Sequence, residues 1–201
     1  MEIFKYGQDE IDYLRKRDKK LAEAIDRIGI IEREVTTDLF TALVKSIVSQ
    51  QISSKAARTI WNRLLVVLGE ITPYKIANAS SEQVQKCGIT MKKANYIKDI
   101  GDAVMQGELD INEIAELPDE EICMRLSALN GIGVWTAEML MIFSMQRPNV
   151  VSWGDLAIRR GMMILYHHRK LDKAKFDKYK KRYSPYGSVA SLYLWEIASG
   201  R

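Results

Sequence analysis

Leu129-Asn130-Gly131-Ile132-Gly133-Val134-Trp135-Thr136-Ala137 is the stretch that decides how this chain folds. Apolar spacing predicts a helix over 118–128 running into it and a second helix over 133–145 leaving it. Glycines at 131 and 133 allow a tight turn and a close approach by a ligand. The first amides of a helix have no intrahelical acceptor and sit at the positive end of its dipole, which makes an anion site. Gly131, Gly133 and Thr136 are therefore placed to offer N–H groups to a phosphate. A dinucleotide-binding loop would need a preceding strand and a third glycine, and this segment has neither. Taken alone, the pattern is equally that of a plain turn between helices.

Helical spacing continues on both sides. Phe40, Leu43, Val44, Ile47 and Val48 form one apolar stripe, and Ala57, Ile60, Trp61, Leu64 and Leu68 form another. Ser53 or Ser54 suits the N-cap of the second stripe, and Thr72-Pro73 reads as N-cap plus first helical residue. Gly69, Gly88, Gly107 and Gly131 close periodic stretches, as C-terminal caps do. The expected helices cover 9–28, 37–50, 53–68, 73–78, 81–87, 90–106, 118–128, 133–145, 155–166, 172–182 and 187–199, with little or no sheet. The fold class is all-α: a two-lobed helical bundle in a single compact domain. One lobe comes from about 36–130, and the other from about 1–35 plus 131–201.

Composition removes several functions. The chain has 201 residues, 47% of them hydrophobic and 28% charged, which is globular and not disordered. No apolar run approaches the roughly 20 residues of a membrane span, so no membrane partner is expected. The first 15 residues are too charged for a signal-peptide core. Cys87 and Cys123 are too few for a four-thiolate metal cluster or a disulfide scaffold. Adjacent His167 and His168 cannot share one helix face as metal ligands. The net charge of +4 permits an anionic partner, and 169–182 holds eight basic and two acidic residues. Such a run is also what a solvated helix face looks like.

Four blocks together resemble the helix-hairpin-helix DNA glycosylase superfamily, and within it the 3-methyladenine DNA glycosylase II family of alkylation repair. They are Ser46-Ile47-Val48-Ser49-Gln50-Gln51-Ile52-Ser53, the hairpin Leu129 to Glu138, Val151-Ser152-Trp153-Gly154-Asp155-Leu156-Ala157-Ile158-Arg159-Arg160-Gly161, and Tyr183-Ser184-Pro185-Tyr186-Gly187-Ser188 leading to Leu194-Trp195. The resemblance covers roughly residues 35–200. It implies the helix-hairpin-helix motif at the cleft of two lobes, and an enzyme that flips a damaged base out of duplex DNA and hydrolyses its N-glycosidic bond. Asp155 matches the catalytic aspartate. Trp135 and Trp195 match aromatic positions of the base pocket, and Trp153 is a further candidate at its entrance. Gln51, with Gln50 beside it, matches the residue that wedges into the vacated stack, and Gly131, Gly133 and Thr136 match the phosphate-binding hairpin. Main-chain carbonyls of Ser127, Leu129 and Gly131 match a site for a monovalent cation, Na+ or K+; no other cofactor is implied. The partner is double-stranded DNA with damaged bases, bound by a monomer in the cytoplasm at the nucleoid, or in the nucleus if the source is eukaryotic.

The residues also have readings of their own. Asp155 stands before an apolar helix, where an aspartate is most often an N-cap. A carboxylate held in that way also stabilises an oxocarbenium-like transition state. Trp135 occupies the position where strand-nicking relatives carry a Schiff-base lysine, so a monofunctional enzyme is implied. Indole faces suit alkylated purines, which carry positive charge, although tryptophans at both positions would serve equally as core. Gly154 and Gly187 depart from the family, which often has a second acid and an arginine there. The alternatives are a glycosylase for another purine lesion (hypoxanthine or etheno adducts) and a hairpin DNA-binding module without chemistry.

Overall fold

A computed structural model describes residues 2–200. Thirteen helices occupy most of these residues: α1 Gln8–Arg17, α2 Lys19–Ile28, α3 Leu39–Ser49, α4 Ser54–Leu68, α5 Pro73–Asn78, α6 Ser81–Gln85, α7 Met91–Met105, α8 Ile111–Glu116, α9 Asp119–Ser127, α10 Val134–Phe143, α11 Leu156–Tyr166, α12 Lys173–Tyr183 and α13 Gly187–Ser199. The only strands among them are the two-residue β1 Glu2–Ile3 and β2 Glu34–Val35, paired antiparallel. The chain divides into two compact units, one of 36–140 and one of 1–35 with 141–201. The hairpin residues 131–140 thus pack with the middle of the chain, and α10 begins in one unit and ends in the other.

Local chemistry explains most boundaries. Side chains of Asp38, Ser53, Thr72, Ser80, Thr90, Asp110, Asp155 and Asp172 each accept an N–H from the first turn of the helix that follows. Gly69 ends α4 with φ +76°, and Gly107 follows α7 with the same angle, a region L side chains rarely adopt.

The expected single helix over 9–28 is two helices. Asp18 breaks it, with φ −146° and its carboxylate accepting Leu21 N–H at 3.0 Å. Its other oxygen takes Tyr166 Oη–H at 2.6 Å and pairs with Arg182. Burying a carboxylate requires partners, and these lie far along the chain, so helical spacing alone could not show the break. A short helix, α8, also forms where none was expected.

In the unit of 36–140, α3 is the centre. Phe40, Leu43, Val44, Ile47 and Val48, the stripe predicted from spacing, are buried, and Leu39 and Ala42 are buried with them. In the other unit α13 plays that part, buried over most of its length from Gly187 to Ile197. Helix α11 packs on it so closely that a Cβ at Gly161 would stand 2.2 Å from the Leu194 carbonyl oxygen.

Candidate active site

Asp155 belongs to the unit of 1–35 and 141–201. It is 7% exposed. As N-cap of α11 its Oδ1 accepts Ile158 N–H at 2.9 Å, and the same oxygen accepts Trp195 Nε1–H at 3.2 Å. Two donors from two helices hold the carboxylate in one orientation. The carboxylate is thus both the N-cap of α11 and the acceptor for an indole of α13.

The segment leading to Asp155 is tied down by α13. Ser188 Oγ accepts Val150 N–H at 2.9 Å and donates to Arg147 O at 2.5 Å. Ser191 Oγ donates to Val150 O at 3.0 Å. Both serines are fully buried. Burial of a hydroxyl is costly unless it is hydrogen-bonded, so each fixes this loop segment against the helix. Ser191 was not singled out from the sequence, because an isolated serine in an apolar helix carries no signal. Gly187 has a local reason here: a Cβ would come within 2.7 Å of Val151 Cγ2. The arginine that the family often carries has no room without a shift.

Trp195 stacks on Phe143, with ring centroids 5.4 Å apart and planes at 30°. These rings line a cavity of about 590 Å³ together with Glu32, Arg33 and Glu34. Arg33 is paired with the buried Glu196, the neighbour of Trp195. Phe143 was missed in the sequence, where it reads as one more apolar residue of α10. Trp153 has other neighbours: Phe176 meets it edge-on at 5.0 Å and the Arg159 guanidinium lies over its ring at 4.8 Å.

The hairpin and the Gln pair lie in the unit of 36–140. Gly131 has φ +85°, and Ile132 is buried with its N–H on Leu129 O at 3.0 Å. The first intrahelical bond of α10 runs from Ala137 N–H to Gly133 O. Val134, Trp135 and Thr136 therefore form the amide end of the helix, where the dipole favours an anion. Around Gly133 a Cβ would meet nothing within 4 Å, so the backbone there is open to approach. Trp135 is 49% exposed, which removes the core reading for that ring.

The two glutamines have opposite orientations. Gln50 turns inward, with Nε2 donating to Gly131 O at 2.7 Å. Gln51 is exposed and left-handed, φ +56°, just beyond the end of α3. Gln50 thereby joins the α3 turn to the hairpin, and Gln51 is the one presented outward.

The family model for HhH-GPD superfamily base excision DNA repair proteins matches residues 44–184. The chain belongs to this superfamily. Among HhH-GPD relatives, DNA-3-methyladenine glycosylase 1 of Schizosaccharomyces pombe is 35% identical over 164 residues, covering 79% of this chain and 72% of its own length. The crystal structure of a DNA-3-methyladenine glycosidase from Bacillus halodurans matches 100% of this chain and 94% of its own, with TM-score 0.89 and 34% identity. A fission-yeast 3-methyladenine DNA glycosylase in complex with abasic DNA matches 94% of this chain and 96% of its own, with TM-score 0.79 and 30% identity. The HhH-GPD fold accounts for the all-helical architecture. Among the described residues no helix is long and apolar enough to cross a membrane, and no three His, Cys, Asp or Glu side chains are grouped to hold a metal ion.

Proposed function

We propose that this protein is a monofunctional DNA glycosylase that hydrolyses the N-glycosidic bond of alkylated bases, of the 3-methyladenine and 7-methylguanine type, to begin base excision repair. The observation that carries this is the buried Asp155 carboxylate, held by Ile158 N–H and by the indole of Trp195, whose ring lines a cavity with Phe143, Glu32, Arg33 and Glu34. As the base leaves, positive charge builds on the deoxyribose. A carboxylate already oriented stabilises that charge without reorganising, and it can direct an attacking water.

A cationic alkylated purine gains about 0.5–2 kcal/mol over an aromatic face, which fits the Trp195–Phe143 stack. Trp135 in place of a Schiff-base lysine supports release of the base without cutting the strand. The amide end of α10, after the Gly131–Gly133 turn, suits a backbone phosphate of duplex DNA bound by one copy of the chain. The carbonyls of Leu129 and Gly131 each already accept one hydrogen bond. A carbonyl oxygen has two lone pairs, so each keeps one with which, beside Ser127 O, it could hold a monovalent cation that would brace the turn against a phosphate.

The test is base release from duplex DNA methylated at random, with the freed bases identified and the strands examined for nicks. Free 3-methyladenine without nicking is the expected outcome. Release of hypoxanthine or etheno-adenine alone would redirect the substrate class, and no release of any base would leave a DNA-binding module.

Gln51 is read as the wedge, because an exposed amide beyond the helix end can fill a vacated stack and bond the orphaned base. Gln51→Ala is expected to weaken binding to a duplex with an abasic-site analogue about tenfold, which is about 1.4 kcal/mol. Binding to undamaged duplex should change little. Equal weakening on both duplexes in a titration would argue against the wedge.

A further inference from the structure

Gln51 needs support that its own sequence does not provide. A non-glycine residue at positive φ costs about 1–3 kcal/mol and persists only where its surroundings hold it. The support comes from α7. The Lys93 ammonium donates to Gln50 O at 2.6 Å and to Val48 O at 3.0 Å, carbonyls of the C-cap and of the last turn of α3. Those oxygens carry the negative end of the helix dipole and have no intrahelical donor. Burial depresses the Lys93 pKa, and no carboxylate opposes that shift.

One turn further along α7, Tyr96 lies against the hairpin. A Cβ at Gly131 would stand 2.5 Å from its ring. Gln50 closes the circuit by donating to Gly131 O. Lys93 and Tyr96, both on α7, thus hold the Gln51 turn on one side and the glycine hairpin on the other. The backbone of Lys93 is itself fixed, since its N–H is capped by Thr90 Oγ1 at 3.3 Å.

We propose that Lys93 is a positioning residue for lesion recognition: by gripping the end of α3 it holds Gln51 in its left-handed, outward pose and keeps that turn in register with the hairpin. This rests on the wedge role of Gln51 proposed above. Lys93 spends its charge on protein carbonyls, so its effect on DNA should not pass through a phosphate.

That separation makes the idea testable with Lys93→Met, Lys93→Gln and Lys93→Arg. Binding to a duplex with an abasic-site analogue and to undamaged duplex is titrated over a salt series, alongside amide hydrogen exchange of the free proteins. Lys93→Met should lose about tenfold on the abasic duplex and little on the undamaged one, with an unchanged slope of log K against log salt. Exchange at residues 50–52 and 131–133 should quicken. Lys93→Arg should restore both; Lys93→Gln, which keeps a donor without the charge, should fall between and covers the case in which the methionine variant does not fold. A phosphate contact would instead flatten the salt slope by nearly one ion and weaken both duplexes alike, which would overturn the proposal. Unchanged exchange at the turn would also overturn it. If Gln51→Ala leaves lesion preference intact while Lys93→Met quickens exchange, the wedge reading fails, and Lys93 is left holding a turn that recognition does not use.

Discussion

Asp155→Asn should reduce the single-turnover rate of base release by about 10²–10³-fold, the usual cost of removing one charge-stabilising group. Asparagine is the informative substitution. Its side-chain oxygen can still accept Ile158 N–H and Trp195 Nε1–H, so the α11 cap and the indole contact survive. What disappears is the charge that the developing oxocarbenium needs. Alanine would also remove the cap, at about 1 kcal/mol, and would mix folding with chemistry. Affinity for damaged duplex should stay within a few-fold of the parent. Rapid-quench release from a methylated duplex, under excess enzyme, measures the effect. An asparagine variant as fast as the parent would remove Asp155 from the chemistry.

The largest effect on stability should come from Gly161→Ala. The added methyl would meet the Leu194 carbonyl oxygen at 2.2 Å and its carbon at 2.9 Å, and these are backbone atoms that cannot rotate away. Overpacking typically costs about 1–3 kcal/mol and sometimes more. A backbone clash of this depth belongs at the upper end, about 3 kcal/mol, or about 6–12 °C in Tm for a chain of this size. The consequence extends to the site. Asp155 caps α11, and Trp195 follows Leu194 on α13, so parting the two helices lengthens the hydrogen bond between carboxylate and indole. Melting followed by circular dichroism measures the first effect and Trp195 fluorescence the second. A melting point within 2 °C of the parent would mean that the helices part without strain.

Much of the fold could be read from neighbours a few residues apart. The α3 stripe and the caps at Ser53 and Thr72 depend on contacts within about four positions, and the helices appear where those signals stand. The break at Asp18 has a local cap bond to Leu21 N–H, but the partners that let its carboxylate be buried there, Tyr166 and Arg182, are 148 and 164 residues distant. The candidate site divides along the same line. Asp155 was visible as a cap before an apolar helix, and Gln50-Gln51 as a polar pair ending an apolar one. Nothing local said which glutamine turns inward, since that depends on the carbonyl of Gly131, 81 positions away. Nor did it say that Phe143 is the ring stacked on Trp195, or that Trp153 is taken up by Phe176 and Arg159.

By itself, then, the order of residues determined an all-helical chain with a glycine-hinged hairpin, a capped aspartate and an HhH-GPD signature. Periodicity, capping and left-handed turns are short-range properties, settled by each segment's own hydrogen-bonding and packing needs. Only the tertiary structure decided which donors hold the Asp155 carboxylate, which ring stacks on the indole that bonds it, and that a lysine of α7 grips the end of α3. Those outcomes depend on how closely backbones approach, as Gly161 shows against Leu194, and on buried polar groups finding partners wherever the fold brings them.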